Sequence, residues 1–449
     1  MERILAMPEE EARDTLKQVF GEFDRNHQAL PVFYAARFEQ VGRLVPAGRD
    51  CLSEERRLLI GAYFTHEYSY ESTALFNPSI VLHPDQAAVP PGARRIVLSL
   101  RAIGEGHVSS ISFRNGIIGV DGKIVLDPVG RFAMEPRLIP NPSYDKNLFE
   151  QKLYEVGLRD DLTAKVMTML GPSFTRNELQ VGLESVFGFA QGEVEKNNPI
   201  ARGISLLADS NYEVRFDPSQ QLSERVIFPN ALSQKNGIED ARFVRFTDDD
   251  GSIKYYATYT AFDGKLMMPQ LLETQDFLRF KFITLNGPAV QNKGLALFPR
   301  KIGGKFAMLA RQDDENCYIM FSDNIHFWHE TRPMASPVFP WEFIKIGNCG
   351  SPVETERGWL VLSHGVGPMR KYCIGAFLLD LNDPAKIIGR LKTPLISPEE
   401  NERAGYVPNV VYTCGLFLHN DLLVIPYGIA DYSTGFATVP LQDVMNAFV

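Results

Sequence analysis

The stretch Asn236-Gly-Ile-Glu-Asp-Ala-Arg-Phe243, followed closely by Lys254-Tyr-Tyr-Ala-Thr-Tyr-Thr-Ala-Phe262, decides how this chain is read. The second run alternates and is rich in aromatic and β-branched residues, the pattern of a strand within a sheet. The first places two carboxylates and an arginine (Glu239, Asp240 and Arg242) between a glycine turn and that strand. A rigid sheet holds an acid well at its rim, which makes Asp240 a candidate catalytic acid. Taken alone, the stretch fits a charged turn joined to an ordinary strand better than a catalytic acid, and the rest of the chain must decide.

Working outward, short alternating runs recur on both sides. Before it come Leu58 to Phe64, Ser79 to Leu82, Arg95 to Leu100, Ser109 to Phe113, Gly116 to Gly119 and Lys123 to Leu126. After it come Arg242 to Thr247, Lys305 to Leu309, Tyr318 to Ser322, Gly358 to Ser363, Ile374 to Asp380, Gly415 to His419, Leu422 to Tyr427 and Thr434 to Pro440. Modules of several short strands, with no helical crossovers between them, favour an all-β propeller over a sandwich or an alternating α/β sheet.

Two regions break the pattern. Glu9 to about Phe38 has apolar residues at helical spacing, so residues 1–57 read as an N-terminal helical segment and 58–449 as the β domain. Within that domain, about 140–211 reads as a helical insertion: Lys146 to Leu170 and Arg176 to Glu195, broken at Gly171-Pro172-Ser173, with Ser173 or Asn177 as cap. Either helical region is a candidate to wall a substrate site or to form a homo-oligomer contact.

Composition excludes some classes. Hydrophobic residues make up 45% of 449, which is globular, and a net charge of −9 argues against nucleic-acid binding. An anion would have to be held by a local cluster of cations. Five scattered cysteines in no C-x-x-C spacing read as reduced thiols. The first ten residues turn acidic too soon for a secretory signal, and no run is long enough to cross a bilayer, so a soluble, cytoplasmic protein without a membrane partner is expected.

Local cation clusters do occur. Gln291 to Arg311 forms a hairpin with Lys293, Arg300, Lys301, Lys305 and Arg311. Lys301 and Lys305 fit the usual role of lysine on a sheet margin. Lys293 and Arg311 lie at equivalent ends and are placed to converge on one anion. Further on, Arg357 precedes the buried run Gly358 to Leu362 and His364 ends it. Those two cannot touch one small anion unless the strand curves or the turn folds over. Glu105 and His107 are polar extras after Arg101; as a metal pair they lack further ligands, and no metal site is assigned.

The ordered motifs Gly237-Ile-Glu-Asp-Ala-Arg242, Ala296-Leu-Phe-Pro-Arg-Lys-Ile-Gly-Gly-Lys-Phe-Ala-Met-Leu-Ala-Arg311, Ser322-Asp-Asn-Ile-His-Phe-Trp328, Thr355-Glu-Arg-Gly-Trp-Leu-Val-Leu-Ser-His-Gly-Val366, Leu378-Leu-Asp-Leu-Asn-Asp-Pro384 and Tyr406-Val-Pro-Asn-Val-Val-Tyr412 resemble glycoside hydrolase family 130. That family comprises β-mannoside phosphorylases and β-1,2-mannosidases on a five-bladed β-propeller. The resemblance implies that Asp240 is the acid, acting through the mannose 3-hydroxyl, although Ala241 stands where the family usually has proline. It implies that Lys293, Arg311, Arg357 and His364 bind phosphate, with Ser363 in place of a usual tyrosine. It further implies that Asn77, Arg101 and Asp431 hold the mannose. His107, with Glu105, is a candidate to line the same pocket, and Glu239 and Arg242 are counted with the substrate site, their first role being to position Asp240.

The choice of nucleophile follows from residue type. Inverting hydrolysis needs a second carboxylate to activate water, whereas phosphate is already an anion and needs a cationic cradle. Lys293, Arg311 and Arg357 keep positive charge, so the expectation is phosphorolysis of β-mannosides, β-1,2-linked manno-oligosaccharides first, to α-mannose 1-phosphate, with inorganic phosphate as co-substrate and no cofactor. A hydrolase with Glu239 or Glu273 as base, and a sugar-binding propeller without turnover, are the alternatives.

Overall fold

The computed structural model describes residues 1–45, 51–188, 198–264 and 267–449. Two compact units result: Met1–Ser69 with Gly130–Ala133, and Tyr70–Val129 with Met134–Val449. The first is helical. Helices Glu9–Phe23, Leu30–Val41 and Glu54–Tyr63 pack Ala12, Leu16, Phe38, Leu59 and Ile60 together. Arg56, only 4% exposed, ties the unit shut through Glu9 Oε1 at 2.8 Å and the Met7 carbonyl at 2.6 Å.

The second unit is mostly β. Its longest sheet runs through Ala74–Leu82, Arg94–Ile103, Ser109–Ile118, Gly237–Thr247, Ile253–Phe262, Met267–Thr274 and Arg279–Thr284, then the short strands Tyr212–Arg215 and Arg137–Leu138. Three further antiparallel sheets follow in chain order: one of Ala296–Leu297, Phe306–Ala310, Cys317–Ser322 and Thr331–Ala335, one centred on Gly358–Gly367 and Lys371–Leu379, and one centred on Leu422–Ile429. The expected strand Ile253–Phe262 pairs with Gly237–Thr247, Phe243 facing Ala257. Its two faces enter different cores: Tyr255, Ala257 and Tyr259 join one cluster and Tyr256 another. Burial of both faces from Tyr255 to Ala261 explains why neither carries a charge there.

Several boundaries differ from the sequence reading. Ser109–Ile118 is one strand, running through Gly116, which pairs with Leu126. Leu58 to Phe64 is not a strand; it lies in helix Glu54–Tyr63, whose N-terminus Ser53 caps by accepting from the Arg56 amide. Lys146 to Leu170 is two helices, Lys146–Glu155 and Asp161–Thr168, because Gly157 turns left-handed and Asp160 caps the second. The next helix, Arg176–Phe187, is capped by Thr175 in a reciprocal box with Glu178, not by Ser173 or Asn177. The expected continuation to Glu195 lies outside the described residues. Among the described residues, no helix is long and apolar enough to cross a membrane.

Candidate active site

Asp240 sits where the Gly237–Thr247 strand loses register with its partner, between Glu239 and Arg242. The bulge gives Asp240 a left-handed backbone, φ 52°, and turns its carboxylate out of the ladder. Asn77 does the same in the first strand of the sheet: register slips between Phe76 and Ser79, and Asn77 has φ 47°. The two bulges face each other, and Asn77 Nδ2 donates to Asp240 Oδ1 at 2.8 Å.

Arg101 lies opposite Phe76 in the neighbouring strand. Its guanidinium donates to Glu239 Oε1 at 2.8 Å and stands 3.6 Å from Asp240 Oδ1. Glu239 Oε2 is 3.9 Å from Lys293 Nζ. The Lys293 carbonyl accepts from Arg311 Nε at 3.2 Å, and Arg311 Nη1 is 3.4 Å from His364 Nε2. One unbroken ladder therefore runs Asn77, Asp240, Arg101, Glu239, Lys293, Arg311, His364. Residues almost 290 positions apart are joined by it.

Of the two roles expected for Arg242, positioning Asp240 and touching substrate, its contacts fit the first. It is 2% exposed and its guanidinium is used inside the protein, on the Asp240 carbonyl (3.2 Å), the Cys349 carbonyl (2.6 Å) and the Tyr412 hydroxyl (2.7 Å). It is a positioning residue that clamps the bulge from behind. Burial pushes the Asp240 carboxyl upward, but Arg101, Arg242 and Lys293 more than reverse this, and it sits below the ordinary aspartate value.

Asp431 lies in the turn between Leu422–Ile429 and Ser433–Pro440, also left-handed at φ 50°. Burial, then the charge of Asp240, raises its carboxyl to about 6. Two carboxyls are thus driven in opposite directions, a common arrangement in acid–base sites. His107, at φ 59°, stacks on Tyr406 with ring centroids 5.6 Å apart, on the loop that follows the Arg101 strand.

The cationic end is built on small residues. A Cβ on Gly347 would come within 2.3 Å of His364 Cε1 and 2.9 Å of Arg311 Cδ, and one on Gly294 within 2.8 Å of Arg311 Nε. Asn348 Nδ2 donates to the Gly294 carbonyl at 2.8 Å and so fixes the loop carrying Lys293. Gly347 and Asn348 were not singled out from the sequence; Gly294 and Tyr412 stand in the stretches quoted above, but with no role assigned to them. Among the described residues Arg311 Nη2 has no protein partner, and the Lys293 side chain is 40% exposed, so both have donors left for an anion. Burial, then Arg311 and Arg242, hold the His364 imidazole well below its ordinary value, so it stays neutral.

Arg357 does not join this cluster. It is exposed at the opposite end of the Gly358–Gly367 strand from His364, seven residues or about 23 Å away at the usual rise. Its guanidinium donates to the Met445 carbonyl at 3.2 Å. The strand pairs without a register shift from Trp359 to Gly367, and the structure does not bring Arg357 to Lys293, Arg311 and His364, against the expectation that it shares their anion. Lys301 pairs with Asp248 and Asp249, and Lys305 lies 3.6 Å from Asp323, as sheet-margin cations would. Glu273, one candidate base, pairs with Lys254 at 2.9 Å, and Glu239 is held between Arg101 and Lys293.

Residues 165–449 match the family described as beta-1,4-mannooligosaccharide phosphorylase, glycoside hydrolase family 130. A 1,2-beta-oligomannan phosphorylase from Thermoanaerobacter sp. is 35% identical over 230 residues, which cover 49% of this chain and 74% of the relative. A beta-1,2-mannobiose phosphorylase from Listeria innocua is 26% identical over 369 residues, 78% of this chain and 94% of the relative. The solved structure of a Listeria innocua beta-1,2-mannobiose phosphorylase in complex with beta-1,2-mannobiose superposes with a TM-score of 0.51 at 23% identity, covering 85% of this chain and 93% of that one, which establishes likeness of fold. The chain belongs to glycoside hydrolase family 130.

Proposed function

We propose that the chain is an inverting phosphorylase of β-mannosides, acting on β-1,2-linked manno-oligosaccharides with inorganic phosphate as co-substrate. The observation that carries this reading is the ladder itself. It sets a carboxyl that can move a proton, Asp240, at one end and two cations with free donors, Lys293 and Arg311, at the other. Asn77, Arg101 and Asp431 are the residues around Asp240 that would hold the mannose, with His107 on the rim.

In this reading phosphate rests on Lys293 and Arg311, with His364 as a neutral partner. A phosphate oxygen attacks the anomeric carbon while the glycosidic bond breaks on the opposite face. The leaving oxygen takes a proton that originates on Asp240 and passes through the mannose 3-hydroxyl, giving α-mannose 1-phosphate and a shortened mannoside. Each charge-assisted bond to phosphate is worth about 1.5–3 kcal/mol, enough in sum to hold an anion in a protein that is negative overall. The acid must carry its proton to act, yet the resting Asp240 is held low by the same cations. A bound phosphate offsets Lys293 and raises Asp240, which couples protonation of the acid to arrival of the nucleophile.

The fold supports a five-bladed propeller. The long sheet contains one parallel link, Gly237 to Ser109, and dividing it there leaves two antiparallel sets. With the three later sheets these make five. The N-terminal helical segment would extend to Ser69, and the propeller would carry the helices of residues 140–211 as an insertion. Five free thiols, four of them buried, agree with a reducing, cytoplasmic setting.

The test is cleavage of β-1,2-mannobiose with and without phosphate. Mannose 1-phosphate formed only when phosphate is present supports the reading. Mannose released at the same rate without phosphate would overturn it in favour of hydrolysis.

A further inference from the structure

After the strand Arg279–Thr284 the chain leaves its sheet, and the irregular stretch 285–293 ends on Lys293 before the next strand, Ala296–Leu297. Its course is fixed from three sides. The turn at 322–328, a family motif that the Asp240 chemistry leaves unused, holds the start. There the Asn286 amide donates to the His326 carbonyl at 2.9 Å, and the Trp328 amide donates to the Asn286 carbonyl at 2.8 Å. Gly287 follows with φ 106°, where a Cβ would stand 2.0 Å from the Trp328 carbonyl oxygen, so only glycine lets the two backbones run this close.

The segment around Arg311 holds the end. Gln312 Nε2 donates to the Ala289 carbonyl at 2.8 Å, Asn292 Nδ2 to the Asp313 carbonyl at 3.1 Å, and Arg311 Nε to the Lys293 carbonyl at 3.2 Å. Asn292, left-handed at φ 56°, also accepts from the Lys293 amide through Oδ1 at 2.8 Å.

The third side is the helical insertion. Lys152 and Glu155 stand one turn apart at the end of helix Lys146–Glu155. Glu155 Oε1 accepts from the Gly287 amide at 2.6 Å, and its Oε2 pairs with Lys152 Nζ at 3.0 Å. Lys152 Nζ also donates to the Leu285 carbonyl at 2.9 Å. The helix alone favours neither placement. Its dipole disfavours a carboxylate at the C-terminus, and a lysine only 9% exposed gives up hydration that a partner and hydrogen bonds must offset. What both side chains gain is their grip on residues 285–287.

Resting on the reading that phosphate sits on Lys293, we propose that Lys152 and Glu155 are positioning residues for that cation. The insertion clamps the start of the stretch, and the clamp sets where its end presents the Lys293 ammonium.

The test is initial-rate kinetics of the full chain at varied phosphate, with hydrogen exchange across 285–293 measured alongside. Lys152→Met and Glu155→Ala should each quicken that exchange and raise the KM for phosphate by about 2- to 30-fold, the span through which residues remote from a ligand tune its site, at unchanged mannoside KM. Glu155→Gln, whose amide oxygen still accepts from Gly287, should recover most of the loss. Glu150→Ala, which removes the partner of Lys146 on the same helix, should change neither reading. With Lys293→Ala already in place, Glu155→Ala should add nothing to the phosphate KM. Glu155→Asp keeps the charge but not the reach, and carries the test if Glu155→Ala does not fold. A phosphate KM unchanged in both clamp variants overturns the proposal whether or not exchange quickens, as does an effect that adds in full to that of Lys293→Ala. Turnover of the parent without phosphate would overturn the phosphorylase reading instead, and unchanged exchange across 285–293 would then overturn the clamp on its own.

Discussion

Asn77 and Asp240 meet through a 2.8 Å hydrogen bond, each thrown out of its strand by a β-bulge and each with a left-handed backbone. Neither is glycine, so each conformation carries strain on the order of 1–3 kcal/mol that surrounding contacts must offset. For Asp240 these contacts are the Arg242 clamp, and for both residues the bond between them. Strain sustained by paired bulges is what aims the two side chains at the same point.

Asp240→Asn keeps the shape and the bond to Asn77 within reach but removes the transferable proton. The turnover number for β-1,2-mannobiose with phosphate should fall by roughly 10²–10⁴, the usual worth of general acid catalysis, while sugar affinity is retained. Steady-state kinetics together with calorimetry separate the two. A variant with near-normal turnover would remove Asp240 from the role of acid.

Arg311→Ala and Lys293→Ala should each raise the KM for phosphate by at least about tenfold, the loss of one charge-assisted bond, with little change in the KM for the mannoside. Arg357→Ala should leave both constants unchanged, because its guanidinium serves the Met445 carbonyl at the far end of the strand. Initial-rate measurements at varied phosphate check all three. A phosphate effect confined to Arg357→Ala would restore the expectation that it shares the anion.

Gly347→Ala tests the same end without touching a charge. The added methyl carbon meets His364 Cε1 at 2.3 Å and Arg311 Cδ at 2.9 Å, so the pair must shift by several tenths of an ångström or more. The expected result is a raised KM for phosphate at unchanged mannoside KM. Wild-type kinetics in this variant would mean that the position of His364 and Arg311 is immaterial to phosphate.

How much of this was legible in the sequence follows from where each residue gets its role. Asp240, Lys293 and Arg311 carry chemistry in their own side chains and stand in quotable motifs, so they could be named. Asn348 and Gly347 work through what lies across the sheet from them, and pairing partners are not visible along the chain. Arg357 was misplaced for the complementary reason: charge marked it, but strand length put it about 23 Å from His364. The strand Ile253–Phe262 was readable from period alone, whereas Leu58 to Phe64 became helix because Ser53 caps it and its apolar side packs on Leu16 and Phe38. Arg242 was named beside Asp240, with positioning its first role and substrate contact its second, but nothing in the sequence shows that a carbonyl 107 residues away takes its donor.

Asp431 gives a pH prediction with a definite sign. Its carboxyl is raised to about 6 by burial and by Asp240, whereas in the unfolded chain it ionises near 3.9. Below about pH 4 it is neutral in both states and costs nothing. As pH rises from about 4 to 6 the unfolded chain releases the proton more readily than the folded one, so the folded state loses stability across that window, on the order of 3 kcal/mol when complete. Asp431→Asn stays neutral throughout and should be more stable than the parent at pH 7, with the advantage gone at pH 4. Urea unfolding of both proteins at the two values reads this directly. An advantage of equal size at both would trace it to packing and not to the ionisation of Asp431.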